Sequence, residues 1–265
     1  MESASSKYSF RLFIITHRAI VKEYYNEEIL PFITFVNVNP ELDFPAEKEY
    51  AVMNLWELPV FVPIGKFYTE SEVIYNVYKN KQLYAGLDAV GFAHYDMDLS
   101  TLTAESFQNY LKTNDVLYFQ PYSFREDYDQ KILMDPARPD TLRGKGRNCY
   151  ETILADYNGS YGTSFRPKEL AGKTIGLCSC FMAKVDLFSS LMTDFIAPVI
   201  ESKKLDSYDS QRIHRIQGGL MERYIGVWFM LQTANAAPVK VPHFFEQTRH
   251  NRRLINRIKN YFLKS

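Results

Sequence analysis

The chain has 265 residues, 46% of them hydrophobic, and its charged side chains balance to a formal net charge of +0 at pH 7. That length is enough to bury a sizeable core, and we expect one α/β domain over residues 1–265. The neutral balance argues against a general nucleic-acid binder. No apolar run approaches the roughly 20 residues that cross a membrane, and the amino terminus lacks the pattern of a signal peptide, so we expect a cytoplasmic protein.

Two strands open the chain. Residues 8–16 become an apolar run that ends in Thr16, His17 and Arg18, and residues 32–38 form a second strand. Parallel sheets bind ligands at the carboxyl ends of their strands, so Arg18 would meet a phosphate and Thr16 or His17 a nucleoside. An ordinary turn after a strand is the alternative for all three residues.

A proline-rich segment and a helix follow. Residues 40–63 carry four prolines and predict a long irregular crossing. Within it, Trp56 either stacks on a base or sugar or pins the loop to the core. The next helix is predicted to run to about residue 84. Asn76 and Asn80 lie one turn apart on one of its faces, so they either contact the ligand or are surface polar residues.

The most informative stretch is residues 86–100. A buried strand over residues 89–93 is followed by Asp96 and Asp98, and alternate residues of an extended segment point the same way. The two carboxylates are therefore predicted to converge just beyond the end of a strand. Two hard oxygen ligands suit Mg²⁺ or Mn²⁺, with water and a substrate phosphate completing the shell. Two solvated turn residues are the alternative.

Residues 72–80 read Glu-Val-Ile-Tyr-Asn-Val-Tyr-Lys-Asn, and residues 91–95 read Gly-Phe-Ala-His-Tyr. This pattern resembles the bacterial capsular-polysaccharide-synthesis glycosyltransferases, which usually carry basic residues after His-Tyr where this chain has its two aspartates. The resemblance implies a GT-A-like domain with a mostly parallel central sheet flanked by helices. It also implies an Asp-x-Asp that holds the metal-bound diphosphate of a nucleotide-sugar donor, in a bacterial cytoplasm or the host cytoplasm of a large virus.

A helix and a strand are predicted after the two aspartates. Residues 103–111 predict a short helix with Thr103 as its cap, and residues 115–120 predict a strand. This alternation is what a mostly parallel sheet requires. Residues 122–148 are polar and rich in basic side chains, which indicates either a loop that closes over an anionic donor or a solvated insertion.

The middle of the chain contains the three cysteines. A helix is predicted over residues 148–158, and residues 175–183 resemble a central strand of the family. Cys178 and Cys180 alternate with their neighbours along that strand, so both thiols are predicted to face one packed side. Together with Cys149 they form neither a disulfide framework nor a zinc spacing, which favours a reducing compartment.

A second candidate for chemistry is the segment of residues 217–223, which opens a strongly apolar helix. Gly218 and Gly219 let the backbone approach a ligand closely and are predicted to place Glu222 in the first turn. In GT-A enzymes a similar glycine loop precedes an acid under the acceptor. The resemblance implies that Glu222 is the general base of a direct displacement, which inverts the configuration at the sugar carbon. Asp209 is the second candidate for the base. A first-turn acid stabilised by the helix dipole is the alternative.

The last segment offers one ligand and one amphipathic helix. The resemblance implies that a histidine near the carboxyl terminus is a metal ligand. His243 is the first candidate for this ligand and His250 is the second. An ordinary satisfied histidine is the alternative. Residues 249–264 place apolar side chains at helical spacing among basic ones. Such a helix either packs on the domain or lies on an anionic membrane where lipid-linked acceptors reside.

These features favour a metal-dependent glycosyltransferase, of the hexosyl or pentosyl class, that acts in polysaccharide biosynthesis. It would move a sugar from a nucleotide-diphosphate sugar to a hydroxyl of a glycan or lipid-linked acceptor. We expect residues 1–115 to bind the donor, residues 116–248 the acceptor, and residues 249–265 to form the basic helix. One alternative is a phosphodiesterase or nucleotidyltransferase with the same aspartates; another is a non-catalytic carbohydrate-binding or assembly protein, given that 15% of the residues are aromatic.

Overall fold

The chain folds around a seven-stranded sheet. A computed structural model describes residues 8–44, 47–124, 149–207, 216–233 and 235–242. The strands in chain order are β1 (Phe10–Thr16), β2 (Ile33–Asn37), β3 (Ala51–Asn54), β4 (Ala89–His94), β5 (Val116–Tyr118), β6 (Pro121–Ser123), β7 (Thr174–Gly176), β8 (Phe181–Lys184) and β9 (Ala236–Pro238). The large sheet has the order β3-β2-β1-β4-β8-β5-β9, and β6 pairs with β7 separately.

The prediction of a mostly parallel sheet is confirmed. β1 pairs in parallel with β2 and β4, β2 pairs in parallel with β3, and β5 pairs in parallel with β9. Only β8 is reversed within this sheet, since it is antiparallel to both β4 and β5. The carboxyl ends of the parallel strands therefore share one side of the sheet, which we call the carboxyl edge. The amino end of β8 lies at this edge too.

Helices cover both faces of the sheet. Alternate residues of β1 divide between two cores: Phe13 and Ile15 pack on one face, and Leu12 and Ile14 on the other. None of the helices in the described ranges is long and apolar enough to cross a membrane. The helices are α1 (Glu70–Lys79), α2 (Ala104–Thr113), α3 (Cys149–Tyr161), α4 (Val185–Leu191), α5 (Ala197–Glu201) and α6 (Ile216–Gln232), with a π-helical stretch, Met192–Ile196, between α4 and α5.

Helix α2 begins as the sequence predicts. The hydroxyl of Thr103 accepts the N–H of Ser106 at 3.1 Å, and the hydroxyl of Ser106 accepts the N–H of Thr103 at 3.0 Å. These two bonds form a capping box, which satisfies N–H groups that the helix itself leaves without partners. Phe107 and Leu111 then bury the inner face of the helix against the sheet.

Two predictions about strands are wrong. Residues 40–63 are not irregular throughout, because Ala51–Asn54 adds β3 to the edge of the sheet. The strand predicted over residues 175–183 is interrupted by a turn in which Cys178 and Ser179 have φ values of 63° and 51°. The two thiols therefore do not alternate along a strand: Cys180 is buried and Cys178 is half-buried.

Candidate functional site at the carboxyl edge

The turn after β4 carries the two predicted metal ligands. The N–H of Tyr95 still donates to the carbonyl of Ile15 on the neighbouring strand at 3.1 Å, so this turn starts from a fixed point of the sheet. Asp96 and Asp98 follow directly, and both are half-buried. The structure therefore places both carboxylates at the carboxyl edge, beside the end of a central parallel strand.

Asp98 is held by its backbone and by one carboxylate oxygen. Its N–H donates to the carbonyl of Pro242 at 3.0 Å. Its Oδ1 accepts the N–H of Ser100 at 3.1 Å and the hydroxyl of Ser100 at 2.5 Å. Within the described ranges both side-chain hydrogen bonds of Asp98 go to Oδ1, so the turn it stabilises leaves Oδ2 available for a further contact.

Asp96 lies beside a buried phenol. Burial raises the pKa of Tyr25, and the negative charge of Asp96 raises it further. The hydroxyl of Tyr25 donates to the carbonyl of Tyr95 at 3.2 Å, which places the ring directly against the turn. A carboxylate in such surroundings acts through a lower effective dielectric than one in water, so its attraction for a cation is strengthened.

The end of β1 meets the same turn. The ring of His17 packs edge-on against Tyr95 with 4.7 Å between centroids, and the guanidinium carbon of Arg18 lies 5.8 Å from the centroid of that ring. Both side chains are exposed. Thr16 differs, because it is fully buried and its hydroxyl donates to the carbonyl of Arg18 at 2.6 Å. His17 and Arg18 thus border the Asp-x-Asp turn, whereas Thr16 shapes the backbone beneath them.

Asn76 and Asn80 hold a loop in place. Both are fully buried, so the alternative of surface polar residues is wrong. The amide of Asn76 accepts the N–H of Val62 at 2.7 Å and donates to its carbonyl at 2.9 Å. Asn80 makes the same pair of bonds with Val60, at 3.0 and 2.7 Å. The expected contact with a ligand is corrected accordingly, since these bonds and burial direct both amides into the fold.

A carboxylate that the sequence did not single out also lies at the carboxyl edge. Glu70 is the first residue of α1, and its Oε1 is 3.6 Å from Nε2 of His94, the last residue of β4. The two side chains are only 23% and 18% exposed. The signal that could have found this pair is the acid that opens the helix preceding the His-Tyr strand end.

Gly218 brings α6 against the turn that leads into α1. A Cβ atom at this position would lie 2.4 Å from Oγ1 of Thr69 and 3.2 Å from the carbonyl oxygen of Phe67. Thr69 itself has φ 55° and ψ −126°, a conformation that L-residues rarely adopt. The prediction that Glu222 lies in the first turn is wrong, because the described helix already includes Ile216 and places Glu222 in its second turn.

Gly219 also serves the helix. Its carbonyl accepts a hydrogen bond from Nη1 of Arg223 at 2.8 Å, one turn further along α6. The guanidinium of Arg223 thus bonds the helix backbone. The contact of Gly219 with a donor stays a prediction.

The thiol of Cys180 is buried just before β8, the strand that pairs with β4. Burial is the main cause that raises the pKa of this thiol, and Cys178 adds to it. The carboxylates of Glu70 and Glu222 raise the pKa further, while a hydrogen bond from the backbone of His94 acts in the opposite direction. Carboxylates from two different helices thus act on the same buried thiol, and one of them, Glu222, is half-buried.

Comparison with known proteins gives a likeness of fold. No protein-family model matches the chain, and no curated protein matches its sequence. The apo structure of the WbbM bifunctional glycosyltransferase is similar with a TM-score of 0.57 and 16% identity, over 89% of this chain and 46% of that chain. The Mn/GDP form of core-mannan synthase A (CmsA/Ktr4) from Aspergillus fumigatus has a TM-score of 0.40 and 13% identity, over 87% of this chain and 72% of that chain.

The chain has a GT-A-type glycosyltransferase fold. The resemblance found in the sequence is thereby confirmed at the level of architecture. The chain spans less than half the length of the WbbM chain that it matches. At 16% identity the likeness concerns the fold alone and assigns neither a substrate nor a metal to this chain.

The residues that the sequence predicts as metal ligands lie only partly within the described ranges. Among the residues that the structure describes, no group of three or more His, Cys, Asp and Glu side chains is arranged to hold a metal ion. Asp209, His243 and residues 249–265 lie outside the described ranges, as does most of the polar loop of residues 122–148. Proteins commonly bind Mg²⁺ with one or two carboxylates, water and substrate phosphates, so such a site does not require a third side chain.

Proposed function

We propose that the chain is a metal-dependent glycosyltransferase that moves a sugar from a nucleotide-diphosphate sugar to a hydroxyl of a glycan or lipid-linked acceptor. The observation that carries this proposal is the turn after β4, where Asp96 and Asp98 follow a central parallel strand of a glycosyltransferase fold. We place the activity in polysaccharide biosynthesis, with a hexose or pentose as the transferred sugar.

Asp96 and Asp98 would hold Mg²⁺ or Mn²⁺ against the donor diphosphate. A cation bound there would neutralise the charge that develops on the leaving diphosphate. His243 is the proposed third ligand, and chain connectivity supports it, because the preceding residue, Pro242, accepts the N–H of Asp98 at 3.0 Å.

Arg18 and His17 would contribute to donor binding from the end of β1. Both are exposed beside Tyr95 at the carboxyl edge. A guanidinium group forms strong charge-assisted hydrogen bonds with phosphate oxygens, so Arg18 suits the diphosphate. His17 suits the nucleoside because its ring offers both a hydrogen-bonding edge and a flat face.

Glu222 would act as the general base in a direct displacement. The acceptor oxygen forms a bond to the anomeric carbon while the bond from that carbon to the diphosphate oxygen breaks. The electron pair of the broken bond leaves with the diphosphate, and the hydroxyl proton passes to the Glu222 carboxylate. Attack opposite the leaving group inverts the anomeric configuration. The half-buried position of Glu222 near Cys180 and the end of β4 supports this role, and Asp209 remains the reserve base.

A transfer assay separates these roles. Wild-type protein is incubated with a panel of nucleotide sugars, Mn²⁺ and oligosaccharide acceptors, and release of the nucleoside diphosphate is measured. We expect Glu222→Gln to lower the rate by about 10²–10⁴-fold with donor binding retained, the range typical of general-base catalysis. Asp209→Asn is the matched comparison. A Glu222→Gln protein that transfers sugar at the wild-type rate would remove Glu222 from the mechanism.

A further inference from the structure

The turn that carries Asp96 is closed by the backbone of His94. The carbonyl of His94 accepts the N–H of Met97 at 3.2 Å, so residues 94–97 form a turn with Asp96 at its third position. Met97, at the far end of this turn, is fully buried in the core. The place of Asp96 therefore depends on how firmly His94 is held at the near end.

The side chain of Glu70 lies against the ring of His94. Oε1 of Glu70 is 3.6 Å from Nε2 of His94, which is within ion-pair distance and longer than a normal hydrogen bond. Nε2 is screened from solvent, and the two side chains are 23% and 18% exposed. A carboxylate attracts an Nε2–H group whether the ring is neutral or charged, and the low exposure strengthens that attraction. Glu70 therefore favours one orientation of the His94 ring.

An unusual backbone conformation precedes Glu70. Thr69, the residue before α1, has φ 55° and ψ −126°, and within the described ranges its side chain makes no hydrogen bond that caps the helix. Such conformations are costly, persist only where surrounding contacts enforce them, and cluster at functional sites. Gly218 of α6 provides one of these contacts, since a Cβ atom there would lie 2.4 Å from Oγ1 of Thr69. Thr69 thus sets the direction in which the chain enters α1, and Glu70 is the first residue that it places.

Two further contacts hold the segment before α1. The hydroxyl of Tyr68 donates to Oδ1 of Asp206 at 2.7 Å, and Tyr68 is 3% exposed. From within α1, Oε1 of Glu72 accepts the N–H groups of Ile64 and Gly65 at 3.0 and 3.2 Å. The segment is thus fixed before any ligand arrives, as a positioning role at the start of α1 requires.

Stabilisation of the helix start is the ordinary role of an acid at the position of Glu70. The N-terminus of a helix carries a partial positive charge, so an acid in the first turn is favourable wherever it points. Glu105 in the first turn of α2 has the same relation to its own helix and is exposed. An effect on the helix alone would be shared by both acids, whereas an effect on the turn of residues 94–97 would belong to Glu70.

We propose that Glu70 is a positioning residue, which holds the turn of residues 94–97 through the ring of His94 and thereby sets the place of Asp96. Glu70 itself does not contact the donor in this account. Its effect on the turn is independent of the proposed function. Its consequence for the donor rests on the proposed function, because that consequence takes Asp96 to be a metal ligand.

Hydrogen exchange in the full-length protein tests the contact without any ligand. Mass spectrometry follows a peptide of residues 95–99, which contains the N–H of Met97, and a peptide of residues 149–161 in α3 as the reference for global stability. We expect Glu70→Ala to speed exchange in the first peptide by roughly five- to tenfold, the effect of losing one partly buried charged partner. The reference peptide should keep its wild-type rate.

Two comparisons separate positioning from a general effect on the helix. Glu105→Ala is the matched control and should leave residues 95–99 at the wild-type rate. His94→Ala should speed exchange there as Glu70→Ala does, and Glu70→Ala added to it should cause no further change, because Glu70 acts through His94.

The same variants test the consequence for the donor. With a nucleotide sugar that stabilises the wild type in the presence of Mn²⁺, Glu70→Ala should raise the Mn²⁺ concentration at the half-maximal thermal shift by roughly fivefold. Glu105→Ala should leave that concentration unchanged. A wild type without any metal-dependent shift would reject the proposed function, while hydrogen exchange would still decide the role of Glu70.

Three results of the exchange experiment would overturn the positioning role. The first is a wild-type rate at residues 95–99 in Glu70→Ala, or an equal change in Glu70→Ala and Glu105→Ala. The second is additive effects of Glu70→Ala and His94→Ala, which would show that Glu70 does not act through His94. The third is an equal increase in both peptides, which would make Glu70 a support of the whole fold.

Discussion

The N–H of Asp98 donates to the carbonyl oxygen of Pro242 at 3.0 Å, which joins the turn after β4 to the segment after β9. That segment reaches the turn by continuing along β5: the N–H groups of Val239 and Val241 donate to the carbonyls of Tyr118 and Phe119 at 2.9 and 3.2 Å. A distant part of the sequence is thereby placed beside the two aspartates. A substitution at Asp98 can therefore remove the negative charge, the hydrogen bonds of the turn, or both. Two variants are needed to separate these effects.

Asp98→Asn is expected to remove metal-dependent donor binding while preserving the fold. The amide oxygen of asparagine can accept both bonds from Ser100 that Oδ1 of Asp98 accepts now, but it carries no charge for a cation. Asp98→Ala loses the turn bonds as well, at a cost of about 1 kcal/mol in the free energy of unfolding. Chemical denaturation and metal-dependent thermal shifts measure the two effects. Retention of the metal-dependent shift in Asp98→Asn would contradict the assignment.

Asn76→Ala is expected to lower the free energy of unfolding by about 2–3 kcal/mol. The amide of Asn76 makes two bonds with Val62 and a third with the carbonyl of Glu72 at 2.9 Å, so its removal leaves backbone groups without partners next to a helix. Urea denaturation measures the loss. The exposed Asn109→Ala in α2 is the matched control and should change stability by no more than about 0.5 kcal/mol. Equal effects for both would show that the loop does not depend on Asn76.

Gly218→Ala is expected to destabilise the contact between α6 and the turn before α1. The added methyl group would lie 2.4 Å from Oγ1 and 3.0 Å from Cγ2 of Thr69, and such overpacking costs about 1–3 kcal/mol. Thr69→Gly in the same chain should restore most of the loss, because it removes both atoms and suits the φ of 55°. Unfolding free energies of the two single variants and the double variant measure this coupling.

Gly159→Ala in α3 is the control for that experiment. A Cβ atom at Gly159 would meet nothing within 4 Å. Alanine is favoured over glycine in a helix by up to about 1 kcal/mol, so this variant should match or exceed the wild type in stability. If Gly218→Ala behaves in the same way as Gly159→Ala, the close approach at Thr69 does not constrain the structure.

Stability should fall as pH rises above about 8.5, in part through Cys180. Burial raises the pKa of this thiol well above its usual value, so the folded chain keeps the proton that the unfolded chain releases from about pH 8.5 upward. Since the unfolded state then binds fewer protons, the free energy of unfolding falls, by up to about 1.4 kcal/mol per pH unit. Denaturation at intervals between pH 7 and 10 should show a shallower decline for Cys180→Ala. Parallel curves would show that the thiol does not contribute.

Strand ends could be predicted from the sequence, because apolar runs that stop at polar residues mark where a parallel strand leaves the sheet. That argument located Thr16 at the end of β1, His17 and Arg18 directly after it, and the two aspartates after β4. It could not distinguish the buried Thr16 from its exposed neighbours, because that depends on how the turn bends. Nor could it find Glu70 beside His94, which depends on the path of the chain between β3 and α1.

Asn76 and Trp56 show a second limit of sequence reasoning. A polar residue on a helix suggests a surface and a tryptophan suggests a core, but Asn76 is fully buried and Trp56 is 37% exposed. For Asn76 the reason is that the loop after β3 needs hydrogen-bond partners for its backbone, and α1 supplies them from its buried face. Only the three-dimensional pairing of loop and helix shows which side chains are used for that purpose.

The most direct test of the central claim is the unfolding temperature of the protein with a panel of nucleotide sugars, each with and without Mn²⁺. The account predicts a stabilising shift that requires one nucleotide sugar and Mn²⁺ together, because a ligand that binds only the folded state raises its stability. The shift should vanish in Asp98→Asn. A panel without any metal-dependent shift, or a shift of equal size in Asp98→Asn, would contradict a donor site at Asp96 and Asp98.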